Sequence, residues 1–251
     1  MNVFALVWLN SVFYILLVLY TLAAVPVLTL FVAGQAPFVS RRFLMRQLRR
    51  AIRWYGSGVI HVLPFPFVRL RYEDRSGAGP LGPCVVVCNH RSSSDPFLMA
   101  ALPLVECVQV TKAWTMRMPV WGIVARLGQY LSINEMSPDE FFARAGQLLR
   151  EGVPVVAFPE GTRSGSREMG PFHSTVFRLA LQEKVPIVPV CISGNERMPP
   201  RGSIVLHPGR IMMRQLPALT WDEYKDLTPF HLKNRVRDLI GRELDLMEKA
   251  A

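Results

Sequence analysis

Two short polar clusters follow apolar runs in this sequence, and both carry residues able to move a proton or hold an anion. In CNHRSSSD, Cys88 to Asp95, a histidine comes directly after VVVCN, an aspartate follows five positions later, and Pro96 comes next. An imidazole exchanges protons near neutral pH. A carboxylate on one ring nitrogen fixes the tautomer and stabilises the imidazolium that forms. His90 with Asp95 is therefore general-base equipment. In FPEGTRS, Phe158 to Ser164, the run VPVVAF leads to a carboxylate (Glu160), a glycine that lets a ligand approach the backbone (Gly161) and an arginine whose fork suits phosphate (Arg163). Each cluster also has a plain structural reading. The first could be an N-cap aspartate beside an unrelated surface histidine, and the second a turn closed by a Glu160–Arg163 pair. Two such clusters at the ends of apolar runs point to one pocket that joins a base to anion recognition.

No enzyme nucleophile accompanies the base. Ser92, Ser93 and Ser94 read as turn formers, and GTRSGS does not match the G-x-S-x-G elbow of serine hydrolases. A base without a nucleophile implies that the substrate supplies the attacking hydroxyl. The four cysteines, at 84, 88, 107 and 191, form no C-x-x-C pair and have no companion histidine spacing. They read as small core residues in a reducing compartment, with no metal site expected.

The elements that must position these residues alternate in period. CVVVC, CVQVT, VPVVAF and VPIVPVCI read as buried strands. PFLMAAL, SPDEFFARAGQLLREG, STVFRLALQE and PFHLKNRVRDLIGRELDLMEK read as helices, and SIVLHPGRIMMRQL as two strands around a His-Pro-Gly turn. The second helix is well punctuated: Ser137 and Glu140 suggest a capping box, Pro138 occupies the first position and Gly152 ends it. Glu73 to Pro83 reads as a turn-rich connector. The alternation predicts an α/β domain with a mixed sheet flanked by helices. In it His90 lies just past a strand end, where open α/β sheets bind ligands, and Asp95-Pro96 starts a helix.

Residues 1–40 contain no Asp, Glu, Lys or Arg and exceed the roughly 20 apolar residues that cross a bilayer. The stretch opens without the basic residues of a secretory signal and runs too long for one. It predicts a retained membrane segment, either one span kinked at Pro26 or two short helices dipping into one leaflet. Arg42, Arg46, Arg49, Arg50 and Arg53 then recur at helical spacing, with Leu44, Leu48, Ile52 and Tyr55 on another face. This is the pattern of a basic helix lying in the membrane interface, and the positive-inside tendency places it on the cytoplasmic side. The expected organisation is a membrane segment over 1–40, an interfacial helix over 41–58 and an α/β domain over 59–251. A net charge of +10 and a mean hydropathy of +0.22 suit an anionic lipid surface. Charge alone would also suit nucleic acid.

NHRSSSD and FPEGTRS, in this order and about seventy residues apart, resemble the first and third signature blocks of the glycerolipid acyltransferase family, whose best-known members are 1-acylglycerol-3-phosphate acyltransferases. VPIVPV, Val185 to Val190, resembles the fourth block, and the likeness covers about residues 55–215. The resemblance implies acyl transfer from acyl-CoA or acyl-carrier protein to a lysophospholipid hydroxyl, foremost lysophosphatidic acid to phosphatidic acid. It implies no metal, no cofactor beyond the acyl donor, no covalent acyl-enzyme and no nucleic-acid partner. His90 would deprotonate the acceptor and Asp95 would orient His90. Glu160, Gly161, Thr162 and Arg163 would bind the acceptor head, with Lys112 assisting at its phosphate. Pro186 and Pro189 would contact the acyl chain or donor, although a plain core strand explains them equally well. The family's second block usually ends in an arginine, whereas GQYLSIN, Gly128 to Asn134, ends in asparagine. Either Arg126, Lys112 and Arg163 supply the charge, or the acceptor is a lysolipid without phosphate, such as lyso-ornithine lipid. Readings from other classes are a hydrolase, with water in place of the lipid hydroxyl, and a non-catalytic basic membrane-binding protein.

Overall fold

The computed structural model describes residues 2–77 and 81–249. The chain runs through α1 (Val3–Ala33), α2 (Arg41–His61), β1 (Val68–Asp74), β2 (Val85–Cys88), α3 (Asp95–Leu98) with a 3-10 turn over Met99–Ala101, β3 (Val108–Thr111), α4 (Ala113–Met116), α5 (Trp121–Leu127) and β4 (Leu131–Ser132). It continues through α6 (Pro138–Arg150), β5 (Val155–Ala157), α7 (Thr175–Glu183), β6 (Ile187–Ser193), β7 (Gly209–Gln215), α8 (Trp221–Tyr224) and α9 (Pro229–Lys249). The strands form one sheet in the order β1-β7-β6-β2-β5-β3-β4. From β6 to β4 they are parallel, while β7 is antiparallel to β6 and parallel to β1. The expected mixed sheet flanked by helices is therefore what forms.

Successive residues of a strand face opposite sides of the sheet, so a strand covered on both faces reads as an unbroken apolar run. That is the case for β2. Val85 and Val87 pack with Phe141, Phe177, Val236 and Ile240 from α6, α7 and α9. Val86 and Cys88 pack with Leu98, Met99 and Ile60 on the other face. Cys84, Cys88 and Cys191 are buried core residues and Cys107 is half-buried; all four are free thiols. Pro189 lies inside β6, every residue of which is buried.

Several expectations change. Strands β1 and β4 carried no clear sequence signal, and Glu73 and Asp74 belong to β1 rather than to a connector; residues 78–80 of that connector lie outside the described residues. The SIVL half of the expected hairpin is not a strand. The edge of β7 it would need is occupied by β1, paired from Val68↔Gly209 to Asp74↔Gln215. Leu206 is instead pinned to the N-terminal helix, its N–H donating to Asn10 Oδ1 at 2.7 Å and its carbonyl accepting from Asn10 Nδ2 at 2.9 Å. On α6 half of the capping box forms: Ser137 accepts from the Glu140 N–H, while the Glu140 carboxylate pairs with Arg144. Gly152 ends that helix at φ +86°, a conformation that favours glycine.

The uncharged N-terminal run is one helix, α1, with Pro26 inside it. At 1.5 Å per residue it is about 46 Å long, and by length and composition it can cross a membrane. Its polar side chains grip the rest of the protein: besides Asn10, Tyr14 donates to the Ile204 carbonyl, and Thr21 and Tyr20 meet Tyr55 of α2. Four arginines of α2 also bond to the rest of the protein. Arg49 is buried, with Glu106 at 2.8 Å, Gln129 at 2.6 Å and the Gly128 carbonyl at 3.2 Å. Arg46 shares Glu106, Arg53 donates to the Ala100 carbonyl and Arg42 to that of Glu151.

Candidate active site

Because β6, β2, β5 and β3 are parallel, their C-terminal ends share one edge of the sheet, and the polar residues that follow them are gathered there. After β2, His90 Nδ1 lies 2.7 Å from Asp95 Oδ2. The same oxygen accepts the N–H groups of Arg91 and Ser92 at 2.7 and 2.9 Å, and Oδ1 accepts from the Asn195 amide that follows β6. Asp95 is fully buried and belongs to the first turn of α3, whose N-cap residue is Ser94. Its carboxylate does not cap that helix, contrary to expectation. It turns back and closes the His90–Asp95 turn. With Nδ1–H donated to Asp95, Nε2 is the free nitrogen of His90, and the ring packs against Phe158 at 4.7 Å between centroids.

The FPEGTRS turn follows β5, the neighbour of β2, and is stitched to the first turn. The Ser164 N–H donates to the His90 carbonyl at 2.8 Å. Glu160 Oε1 accepts the His90 N–H at 2.7 Å and Oε2 the Gly170 N–H at 2.8 Å. Burial pushes the Glu160 carboxyl above its usual range, and the two backbone N–H groups and His90 oppose this. Both its oxygens are occupied and it does not line the adjoining cavity. Glu160 forms no pair with Arg163, so the closed-turn reading does not hold.

That cavity, of about 800 Å³, is lined by His90, Gly161, Thr162, Arg163 and Lys112 among its polar residues. It is also walled by apolar groups from Leu17 of α1, Ile52 and Val59 of α2, Leu98 and Met99, and Val124 of α5. Among the described residues, neither the Lys112 ammonium nor the Arg163 guanidinium has a hydrogen-bond or ion-pair partner. Gly161 sits at φ +65°, and a Cβ there would come within 3.2 Å of the His173 ring. Arg126, Asn134, Pro186 and Pro189 do not line the cavity.

The sequence reading missed three contributors. Asn195 holds Asp95 from the far side. Asn89 bonds both the N–H and the carbonyl of Ile192, fixing β2 to β6 ahead of His90. Arg91, buried directly after His90, pairs with Glu196 at 2.5 Å and with Glu248 of α9 at 2.7 Å. SGNER, at the exit of a buried strand, was the available signal for Asn195 and Glu196. Nothing local announced Glu248. No group of His, Cys, Asp and Glu able to hold a metal ion occurs among the described residues.

Residues 69–193 match the family model described as Acyltransferase. A 1-acyl-sn-glycerol-3-phosphate acyltransferase of Limnanthes alba is 27% identical over 229 residues, covering 79% of each chain. The human 1-acyl-sn-glycerol-3-phosphate acyltransferase beta is 37% identical over 134 residues, which is 51% of this chain and 48% of that one. Among solved structures, the 1-acyl-sn-glycerophosphate acyltransferase of Thermotoga maritima superposes with a TM-score of 0.73 over 98% of both chains at 20% identity, a likeness of fold. With both signature turns meeting at one sheet edge inside the matched region, this chain is an acyltransferase and belongs to the glycerolipid acyltransferase family.

Proposed function

We propose that the enzyme transfers a fatty acyl group from the thioester of acyl-CoA or acyl-carrier protein to the free hydroxyl of lysophosphatidic acid, giving phosphatidic acid. The observation that carries this reading is the pair of unpartnered cations, Lys112 and Arg163, in the same cavity as His90. A phosphate monoester supplies the charge that both lack, and Arg163 can take it in a bidentate contact. The relatives' names support the same acceptor.

In this reading His90 Nε2 takes the proton of the acceptor hydroxyl as its oxygen attacks the thioester carbonyl carbon. Asp95 stabilises the imidazolium and remains ionised. The tetrahedral intermediate collapses by breaking the C–S bond, and His90 returns the proton to the departing thiolate. Gly161, and Thr162 beside Arg163, frame the headgroup, while Glu160 acts from behind by holding the His90 backbone. Acyl chains occupy the apolar part of the cavity. The α1 helix seats the enzyme in the membrane, with the domain on the cytoplasmic face.

A panel of lysolipid acceptors with one labelled acyl donor tests the assignment. Lysophosphatidic acid is expected to give the highest kcat/KM. A higher value for lyso-ornithine lipid would overturn the acceptor while leaving the acyl-transfer mechanism in place.

A further inference from the structure

The segment from Cys107 to Asn134, which runs from just before β3 to just past β4, contains Lys112, Arg117 and Arg126 and no Asp or Glu. Its short helix α5 is apolar on two sides. Trp121 and Val124 line the cavity, while Ile123 and Leu127 lie outside it and are 63% and 56% exposed. Val120 and Trp114 extend this outer stripe, and Trp114, 55% exposed, also lines the cavity and so marks its rim. Apart from Arg126, the helix turns apolar side chains both to the cavity and outward, and an outward apolar face belongs in a core or in lipid. This one is in no core. Val120 enters it at φ +60°, which a β-branched residue rarely adopts, so the backbone is strained where the outer stripe begins.

We propose that α4 and α5 form a second membrane-contacting surface, inserted beside α1 at the level of the lipid headgroups, through which the lysolipid acceptor enters the cavity directly from the bilayer. Position and charge favour a bilayer as the occupant. The segment adjoins α2, whose Arg49 is bonded to Gly128 and Gln129 at the end of α5, and α2 in turn packs along the apolar α1. Arg117 and Arg126 are exposed and suit anionic headgroups, towards which long cationic side chains extend from an apolar boundary. A tryptophan at the rim suits the same depth.

The proposal rests on the membrane-enzyme reading above, and its test separates the two. The full-length protein is reconstituted in vesicles containing anionic phospholipid, with nitroxide labels placed singly by Ile123→Cys, Leu22→Cys on α1 and Asp245→Cys on α9. Unsubstituted protein measures background labelling of the native thiols. Label accessibility to oxygen against a water-soluble nickel chelate reports depth. Position 123 is expected to favour oxygen, as position 22 does, and position 245 the chelate. If 22 is in lipid while 123 matches 245, the second surface is overturned and the membrane anchor stands. If neither is in lipid, both readings fail. Spin–spin broadening at 123 that disappears on dilution with unlabelled protein would show a second copy on this face, which also overturns the proposal. In a separate assay, Ile123→Glu with Leu127→Glu should lower turnover of vesicle-embedded acceptor by about tenfold or more, while turnover of detergent-dispersed acceptor stays within about twofold. Equal loss in both assays would contradict a role in entry from the bilayer.

Discussion

Cationic side chains in α2 and at the edge of the parallel sheet look alike in the sequence, but they are used in opposite ways. In α2, Arg42, Arg46, Arg49 and Arg53 all find partners within the protein, and they tie the helix to the body of the domain. At the sheet edge, Lys112 and Arg163 face the cavity without partners, while the carboxylates of Asp95 and Glu160 are fully engaged and His90 is held through Nδ1 with Nε2 left free. A paired buried cation holds a structure together. An unpaired one in a cavity is available to a ligand. Spacing along a helix gives the periodicity of the charges and says little about which of these two uses applies.

His90→Ala removes the base from the engaged group, and its effect should be the largest. General-base catalysis is worth about 10²–10⁴-fold, so kcat should fall by that much. The melting temperature should stay near wild type, since Asp95 retains its backbone donors. Asp95→Asn should lower activity comparably and also destabilise the fold, because a buried carboxylate accepting four hydrogen bonds is replaced by a group that must present an N–H to some of those donors. Comparing the thermal melts of the two variants checks this. Equal melting temperatures would show that Asp95 acts only on His90.

Arg49→Gln probes the other region. It leaves the buried Glu106 with only the partly exposed Arg46 as a partner, so the loss should be about 3 kcal/mol, the lower end of the range for breaking a buried pair, which denaturant unfolding would register. Arg50 has no comparable network, so Arg50→Gln should stay within about 0.5 kcal/mol. Similar effects for the two would mean that the Arg49 network contributes little. Arg163→Ala should do the reverse of Arg49→Gln, with stability unchanged and kcat/KM for lysophosphatidic acid lower by roughly 10–150-fold. That range corresponds to about 1.5–3 kcal/mol for one charge-assisted contact. A drop in stability with unchanged kcat/KM would place Arg163 in the scaffold.

The site was legible wherever chemistry and local geometry coincide in a few consecutive residues. VVVCNH and VPVVAFPEG each mark a buried strand followed by a polar turn, and parallel pairing brings the two turns together. Asp95 beside His90 was readable, but the direction of its carboxylate was not, since an Asp before Pro is equally good as a helix cap and only the tertiary fold supplies Asn195. Glu160 appeared as a ligand contact because sequence cannot show that two backbone N–H groups occupy it. The strand missed at Val68–Asp74 is half-exposed and rich in charge. Its partner, β7, lies more than 130 residues away, and winning that edge left SIVL to the side chain of Asn10 on α1. Long-range competition of this kind leaves no local trace.

The central claim is that His90 activates an acceptor hydroxyl and not water, so the most direct measurement is thiol release from acyl-CoA with and without lysophosphatidic acid, with the phosphatidic acid formed quantified alongside. The account predicts negligible release without acceptor, release matched one-to-one by phosphatidic acid when acceptor is present, and loss of both in His90→Ala. Comparable release in the absence of acceptor would make the enzyme a thioesterase. Matched product formation that survives in His90→Ala would contradict the assignment of the base.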